Sequence, residues 1–268
     1  MALYGVLGDI HGNREALHSA LTALAAEGID RLICLGDIVG YNADPDQCAT
    51  LIRERNALAI AGNHDLISLG RLGFERCSNK AMYSLKRTRR SLEKETVQYL
   101  QGLPGHLILE GEVVLIHGGV RDVQEYMVTE PQVWRNAQYA KLDFPSGRLF
   151  LFGHTHDQRL FEVRADGVSP IAPAAELTLR RDCIYFINPG SIDAARKPPH
   201  KPGTPKFAEW AVLDTNSRKI SFRRAPYDHT AAETKAVQSG YRIGLWTDRA
   251  YSFSKRVEGA WRRFGFAR

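Results

Sequence analysis

"ALYGVLGDIHGNREALHSALTALAAEGIDRLICLGD", residues 2–37, carries two different periodicities. "ALYGVL" and "RLICL" are short apolar runs of strand length. Between them, residues Asn13 to Ala26 set Ala16, Leu17, Ala20, Leu21 and Leu24 on one face of a helix. Strand, helix and strand in this order predict parallel pairing in an α/β fold. Both strands stop in the same way, at Gly8-Asp9 and at Gly36-Asp37.

The pattern recurs outward along the chain. "ALAIA" runs into Gly62-Asn63-His64-Asp65, "VVLI" into His117-Gly118-Gly119, and "RLFLF" into Gly153-His154-Thr155-His156. "CIYFI" runs into Asn188-Pro189-Gly190-Ser191. A second short helix is expected from Pro45 to Arg55, with the proline at its first turn. Ser78 to Leu100 reads as helical and charge-rich, its basic run Lys86 to Arg90 forming a solvated face. After Arg180 the pattern becomes strand upon strand ("CIYFIN", "FAEWAVLD", "KISFRR"), which predicts antiparallel pairing on a second sheet.

Composition bounds the class. The chain has 268 residues, 44% of them hydrophobic and 25% charged, as in an ordinary globular protein with a sizeable core. No run approaches the roughly 18 apolar residues of a membrane span. The first residues enter a strand directly, without a signal-peptide pattern, and a cytoplasmic protein is expected. Cys34, Cys48, Cys77 and Cys183 are widely spaced and read as buried, reduced thiols. Of the net charge of +6, the stretch from Tyr241 to Arg268 carries +5, with seven cations against Asp248 and Glu258. In that tail Phe253, Val257, Trp261 and Phe264 fall on one helical face. The expected role is packing on the domain or on a second copy of the chain; contact with a membrane surface or with nucleic acid are the alternatives.

Asp9, His11, Asp37, Asn63, His64, His117, His154 and His156 all sit at strand ends, and they include five of the nine histidines. In open α/β sheets the crevice beyond the carboxyl ends of strands is where sites form. Carboxylates, imidazoles and an amide oxygen, without thiolate, suit Mn, Fe, Zn or Ni ions.

The blocks "GDIHGN", "GDIVGY", "GNHD", "HGG" and "GHTH", in this order and followed by "NPGS", resemble the calcineurin-like metallophosphoesterase superfamily over roughly residues 1–215. The closest likeness is to its small prokaryotic phosphodiesterase and phosphatase branch. The resemblance implies a four-layer αββα sandwich of two mixed sheets: a catalytic domain over residues 1–225 and a basic, amphipathic extension over 226–268. It implies two divalent metal ions: Asp9, His11 and His156 on the first, Asn63, His117 and His154 on the second, and Asp37 bridging them. His64 becomes the proton donor or charge stabiliser in hydrolysis of a phosphodiester or phosphomonoester by metal-activated hydroxide. The protein serine/threonine phosphatases read GD-x-V-D-R-G where this chain has Gly40 and Tyr41. That departure weakens a phosphoprotein phosphatase reading and leaves Asp65 as the candidate to orient His64. Tyr41, Arg121 and Arg196 are candidates for the substrate side, Arg121 as a bidentate phosphate clamp. A non-catalytic metal-binding scaffold on the same fold is the competing class, and retention of His64 argues against it.

Overall fold

The computed structural model describes residues 2–193 and 204–263, with side chains through Ser254. The chain begins with β1 (Leu3–Leu7), α1 (Arg14–Ala26), β2 (Arg31–Cys34), α2 (Pro45–Glu54) and β3 (Leu58–Ala59). Helices α3 (Asn63–Ser68), α4 (Asn79–Ser91) and α5 (Lys94–Gln101) follow. Next come β4 (Leu107–Leu109), β5 (Val113–Leu115), α6 (Glu130–Asp143), β6 (Leu149–Leu151), β7 (Gln158–Arg164) and β8 (Gly167–Ile171). The last elements are β9 (Leu177–Thr178), β10 (Ile184–Pro189), β11 (Phe207–Asp214), β12 (Lys219–Pro226), α7 (His229–Gln238) and α8 (Leu245–Arg263).

The strands form two six-stranded mixed sheets, ordered β3-β2-β1-β11-β12-β9 and β4-β5-β6-β10-β7-β8. In the first, β1, β2 and β3 are parallel and β11 closes antiparallel on β1. In the second, β5, β6 and β10 are parallel, and β4 and β7 flank them antiparallel.

Strand alternation builds the layers. Tyr4 and Val6 of β1 point into an apolar layer shared with Leu115, Leu149, Leu151 and Ile187 of the other sheet. Leu7 faces the opposite way, into a cluster with Leu17, Ala20, Leu21 and Leu24 of α1 and Cys48 and Ile52 of α2. Val133, Ala137 and Ala140 of α6 cover Val114, Phe150 and Phe186 on the far side of the second sheet. Helix, sheet, sheet and helix make four layers, as expected. The four cysteines are buried and free.

Two local expectations differ. The stretch after Arg180 does not pair together on a second sheet. β10 joins the second sheet between β6 and β7, while the β11–β12 hairpin returns to the first and covers the open side of β1. An unpaired β1 would leave a row of backbone donors and acceptors exposed. The helical stretch from Ser78 to Leu100 also breaks in two, because Leu92 and Glu93 take extended ψ values of 132° and 154°.

α7 packs on α1, and α8 on α4, where the Asn79 amide donates to Asp248 and Ser252 of α8. Among the described residues no helix is long and apolar enough to cross a membrane. Val257, Trp261 and Phe264 of the expected amphipathic face lie outside the described side chains.

Candidate metal centre

The loops after β1 and β2 are stitched together through their backbones. Asp9 N–H donates to the Gly36 carbonyl, Ile10 and His11 N–H to that of Asp37, and Gly12 N–H to that of Ile38. Five donor residues in these strand-end loops, Asp9, His11, Asp37, His154 and His156, hold φ between 51° and 68°. A left-handed backbone costs a non-glycine residue on the order of 1–2 kcal/mol. The cross-loop hydrogen bonds offset that cost and turn each side chain back toward its neighbours.

The side chains form two groups that meet at Asp37, and His64 stands close enough to His11 and Asp37 to make a third. In the first, the Nε2 atoms of His11 and His156 face each other at 2.9 Å, and His156 Nε2 lies 3.5 Å from Asp9 Oδ1. Asp37 Oδ2 lies 3.7 Å from His11 Nε2. In the second, His117 Nδ1 donates to the Leu35 carbonyl at 2.7 Å, which directs Nε2 toward Asn63 Oδ1 at 3.0 Å and Asp37 Oδ1 at 3.4 Å. His154 completes this group, and its donor atom lies within 4.8 Å of those of Asp37 and His117. Asp37 Oδ2 and His154 Nε2 are buried without a hydrogen-bond partner. Buried polar atoms are rarely left that way unless an ion or water completes them. Two nitrogen- and oxygen-rich donor groups with orphaned atoms fit divalent cations.

A layer behind the donors fixes them. Both Asp9 carboxylate oxygens accept from His154 N–H at 2.9 and 3.1 Å. Asn188, from the "NPGS" stretch, donates to the Gly153 carbonyl and to Thr155 Oγ1, bracing the loop that carries His154 and His156. Ser191 Oγ donates to the Asp9 carbonyl. Gly62 is required by close approach, since a Cβ there would sit 2.2 Å from Asp37 Oδ1.

Electrostatically the centre is poised for positive charge. Burial pushes Asp9 up to about 8. Burial also opposes ionisation of Asp37, but the surrounding imidazoles, His117 foremost, hold it well below the usual carboxylate range. Burial, with His117 beside it, drives His154 down to about 3, so its nitrogens are free to act as ligands. A divalent cation is the group that lets two carboxylates ionise side by side in such a place.

His64 N–H donates to Asp37 Oδ1 at 2.7 Å. Its ring packs against His11 and Tyr41, with centroids 4.5 and 4.8 Å away. Nδ1 is buried over Gly40, where a Cβ would come within 2.4 Å of it, and the residue lines the cavity. Asp65 does not orient this ring. Its carboxylate accepts from the N–H groups of Gly62, Ile38 and Val39 and ties α3 to the loop after β2. Packing and the absent side chain of Gly40 set the position of His64 instead.

The cavity above these residues is about 350 Å³. Asp37, Asn63, His64, His154 and His156 line its floor, Tyr41 and Tyr126 its walls, and Arg76, Ser78 and Gln124 its rim.

The calcineurin-like phosphoesterase superfamily domain matches residues 2–217. The chain belongs to the calcineurin-like phosphoesterase superfamily. A superfamily relative, the uncharacterized protein MJ0912 of Methanocaldococcus jannaschii, is 30% identical over 252 residues, 91% of this chain and 95% of that one. A metallophosphoesterase from Sphaerobacter thermophilus superposes with a TM-score of 0.69 at 26% identity, covering 92% of this chain and 97% of its own. The hypothetical protein PH1004 of Pyrococcus horikoshii shares the fold at 19% identity, with a TM-score of 0.66 and coverage of 93% and 97%.

Against this phosphoesterase frame, Asp9, His11, Asp37, Asn63, His64, His117, His154 and His156 converge, and Tyr41 lies beside them. Arg121 does not join them. Its guanidinium pairs bidentately with Asp143 of α6 at 2.7 and 2.8 Å and stacks on Tyr139, so the phosphate-clamp expectation fails. The carboxylates near it in sequence are paired elsewhere, Asp122 with Arg76 and Glu125 with Arg135. Arg196 lies outside the described residues. Arg76, Gln124 and Tyr126 were not singled out from the sequence. Tyr126 lies nine residues after His117, and nothing in the local pattern says that this loop folds back over His154, where the ring centroids are 4.2 Å apart.

Proposed function

We propose that the chain is a metal-dependent phosphoesterase that hydrolyses a phosphodiester in preference to a phosphomonoester. Asp37 stands between the two donor groups, with one oxygen toward His11 and the other toward His117, and this observation carries the reading. Asp9, His11 and His156 would hold one cation, Asn63, His117 and His154 the other, and Asp37 would serve both; manganese, iron, zinc or nickel suit the donors. A bound cation pair supplies an activated water and charge neutralisation of the phosphoryl group.

The protein's own groups do the rest. His64 presents Nε2 to the leaving oxygen and donates to it as the P–O bond breaks. Burial lowers the basicity of its ring. Tyr41 packs its ring at a tilt against that of His64, and its own hydroxyl is kept protonated by burial. Arg76, anchored by Asp122 and the Gln124 carbonyl, offers its remaining donors at the rim.

Preference for a diester rests on charge and shape. Among the described lining residues Arg76 is the one fixed cation and Asp122 pairs with it, so the lining adds little further positive charge, which suits the single charge of a diester. Tyr41 and Tyr126 give the second ester group apolar walls. Residues 1–225 form the catalytic unit in this reading, and 226–268 an extension.

The test is a substrate panel on metal-reconstituted protein: p-nitrophenyl phosphate, its bis ester, cyclic nucleotides and phosphopeptides. A higher kcat/KM for the bis ester than for the monoester supports the reading. Preference for phosphopeptides replaces it with a phosphoprotein phosphatase, and metal binding without turnover of any ester replaces it with a scaffold.

A further inference from the structure

The basic run of α4 is more than a solvated face. Lys86, Arg87 and Arg90, with Tyr83, Ser91 and Tyr251 of α8, line a separate cavity of about 260 Å³. We infer that this cleft between α4 and α8 is a binding site for a small anion carrying two or more linked phosphoryl groups.

Three observations point there. First, the cations are held in place. Lys86 Nζ lies 4.9 Å from the centroid of Tyr251 and 5.7 Å from that of Phe74. The Arg87 guanidinium lies 5.5 Å over Tyr241, whose hydroxyl meets Ser91 Oγ at 3.1 Å. Arg87 also rests 3.3 Å from where a Cβ on Gly240 would be, and Gly240 holds φ of +70°. Second, the charge is uncompensated. Among the described residues none of the three cations pairs with a carboxylate. Arg76, Arg121, Lys206 and Lys235 elsewhere all do. Lys86 and Arg90 stand one helical turn apart, where like charges repel. Third, the remaining member of the run turns away: Arg89 donates to the Ile67 carbonyl and stacks on Phe74. The run therefore divides by position, one cation spent on the fold and three facing a common space.

Three converging positive charges match a multivalent anion, and guanidinium forks match phosphoryl oxygens in pairs. The volume is below the roughly 300–1,000 Å³ of a pocket for a drug-sized ligand. It suits a diphosphate or triphosphate chain with anything attached lying outside. The cleft is distinct from the metal centre, because its lining shares no residue with that of the cavity above the metal donors. A free polyphosphate and the phosphate chain of a nucleotide share this chemistry.

Calorimetric titration of metal-loaded protein tests the inference, with methylenediphosphonate, whose P–C–P link resists hydrolysis, and with α,β-methylene-ADP. The wild type is expected to bind two equivalents of diphosphonate, one at each site. Lys86→Gln/Arg90→Gln should bind one with unchanged affinity and the other at least about tenfold more weakly, with p-nitrophenyl phosphate hydrolysis unaltered. Should the double variant fail to fold, Arg87→Gln reports the same weakening. Tighter binding of the nucleotide analogue assigns the site to nucleotides, and equal binding assigns it to the phosphate chain alone. An isotherm identical in wild type and variant overturns the inference. So does competition by acetate as effective as that by diphosphonate, or hydrolysis that falls together with binding.

Discussion

β1, β2 and β6 each pass through two opposite environments within a few residues. Val6, Ile33 and Leu151 lie in the apolar layer between the sheets. Three or four residues on, Asp9, Asp37 and His154 lie in the metal centre. Burial does not distinguish the two regions: Leu151 and Asp9 are both 0% exposed. What differs is how burial is made favourable. In the layer, removal of apolar surface from water stabilises at about 25 cal/mol per Å². In the centre, polar atoms sit on left-handed backbone, braced by cross-loop hydrogen bonds and arranged so that cations could complete them. Stability and chemistry should therefore separate at positions only three residues apart.

Asp37→Ala is expected to have the largest effect on activity. It removes the one residue shared by both donor groups, so metal content should fall well below two per chain and hydrolysis by at least about 10²-fold. Its fold should survive, because Oδ2 has no hydrogen-bond partner to lose. Oδ1 gives up the His64 N–H at 2.7 Å and its approach to His117, few contacts beside the cross-loop backbone bonds that remain. Elemental analysis beside a circular dichroism melt checks both. Leu151→Ala should do the reverse. A cavity in the inter-sheet layer costs about 2–5 kcal/mol in urea denaturation, with metal stoichiometry retained. If Leu151→Ala lost its metals while folded, the two regions would not be separable.

A smaller effect concerns Glu209 on β11, buried near Asp157, whose carboxyl burial pushes up to about 8. A carboxyl raised in the folded state stabilises fully below its unfolded value of about 4.5, and that contribution is lost as pH rises toward 8. Glu209→Gln should lack this decline and be more stable than the wild type above pH 8, by up to a few kcal/mol. Equal pH profiles in urea denaturation would show that Glu209 is already ionised. The smallest effect belongs to Arg121→Gln, which should leave kcat/KM unchanged because its guanidinium is spent on Asp143. Arg76→Gln, by contrast, should raise KM.

The same contrast explains what the sequence disclosed. Each apolar run that ended in a polar ligand type, most of them through a glycine, announced both a strand and its functional end, so all eight strand-end polar residues were legible and do converge. Period-two alternation shows which faces are buried but not which sheet a strand joins. That is why the return of β11 and β12 to β1 was missed. Strands as short as β3 and β9, two residues each, carry no period at all. The roles of Asp65 and Arg121 depended on which backbone groups and carboxylates came near them, a matter of tertiary approach. Tyr126 and Arg76 reach the cavity from loops whose local sequence has no periodic signal.

The division of labour between His64 and the donors is the central claim, and one variant tests it directly. His64→Ala should keep its fold and its full metal content. It should lose about 10²–10⁴ in rate on an alkyl phosphodiester, as expected for a missing general acid. The loss should shrink on a p-nitrophenyl ester, whose leaving group needs little protonation. Metal content measured beside both rates decides it. Metals lost as in Asp37→Ala, or full activity retained on the alkyl ester, would contradict the account.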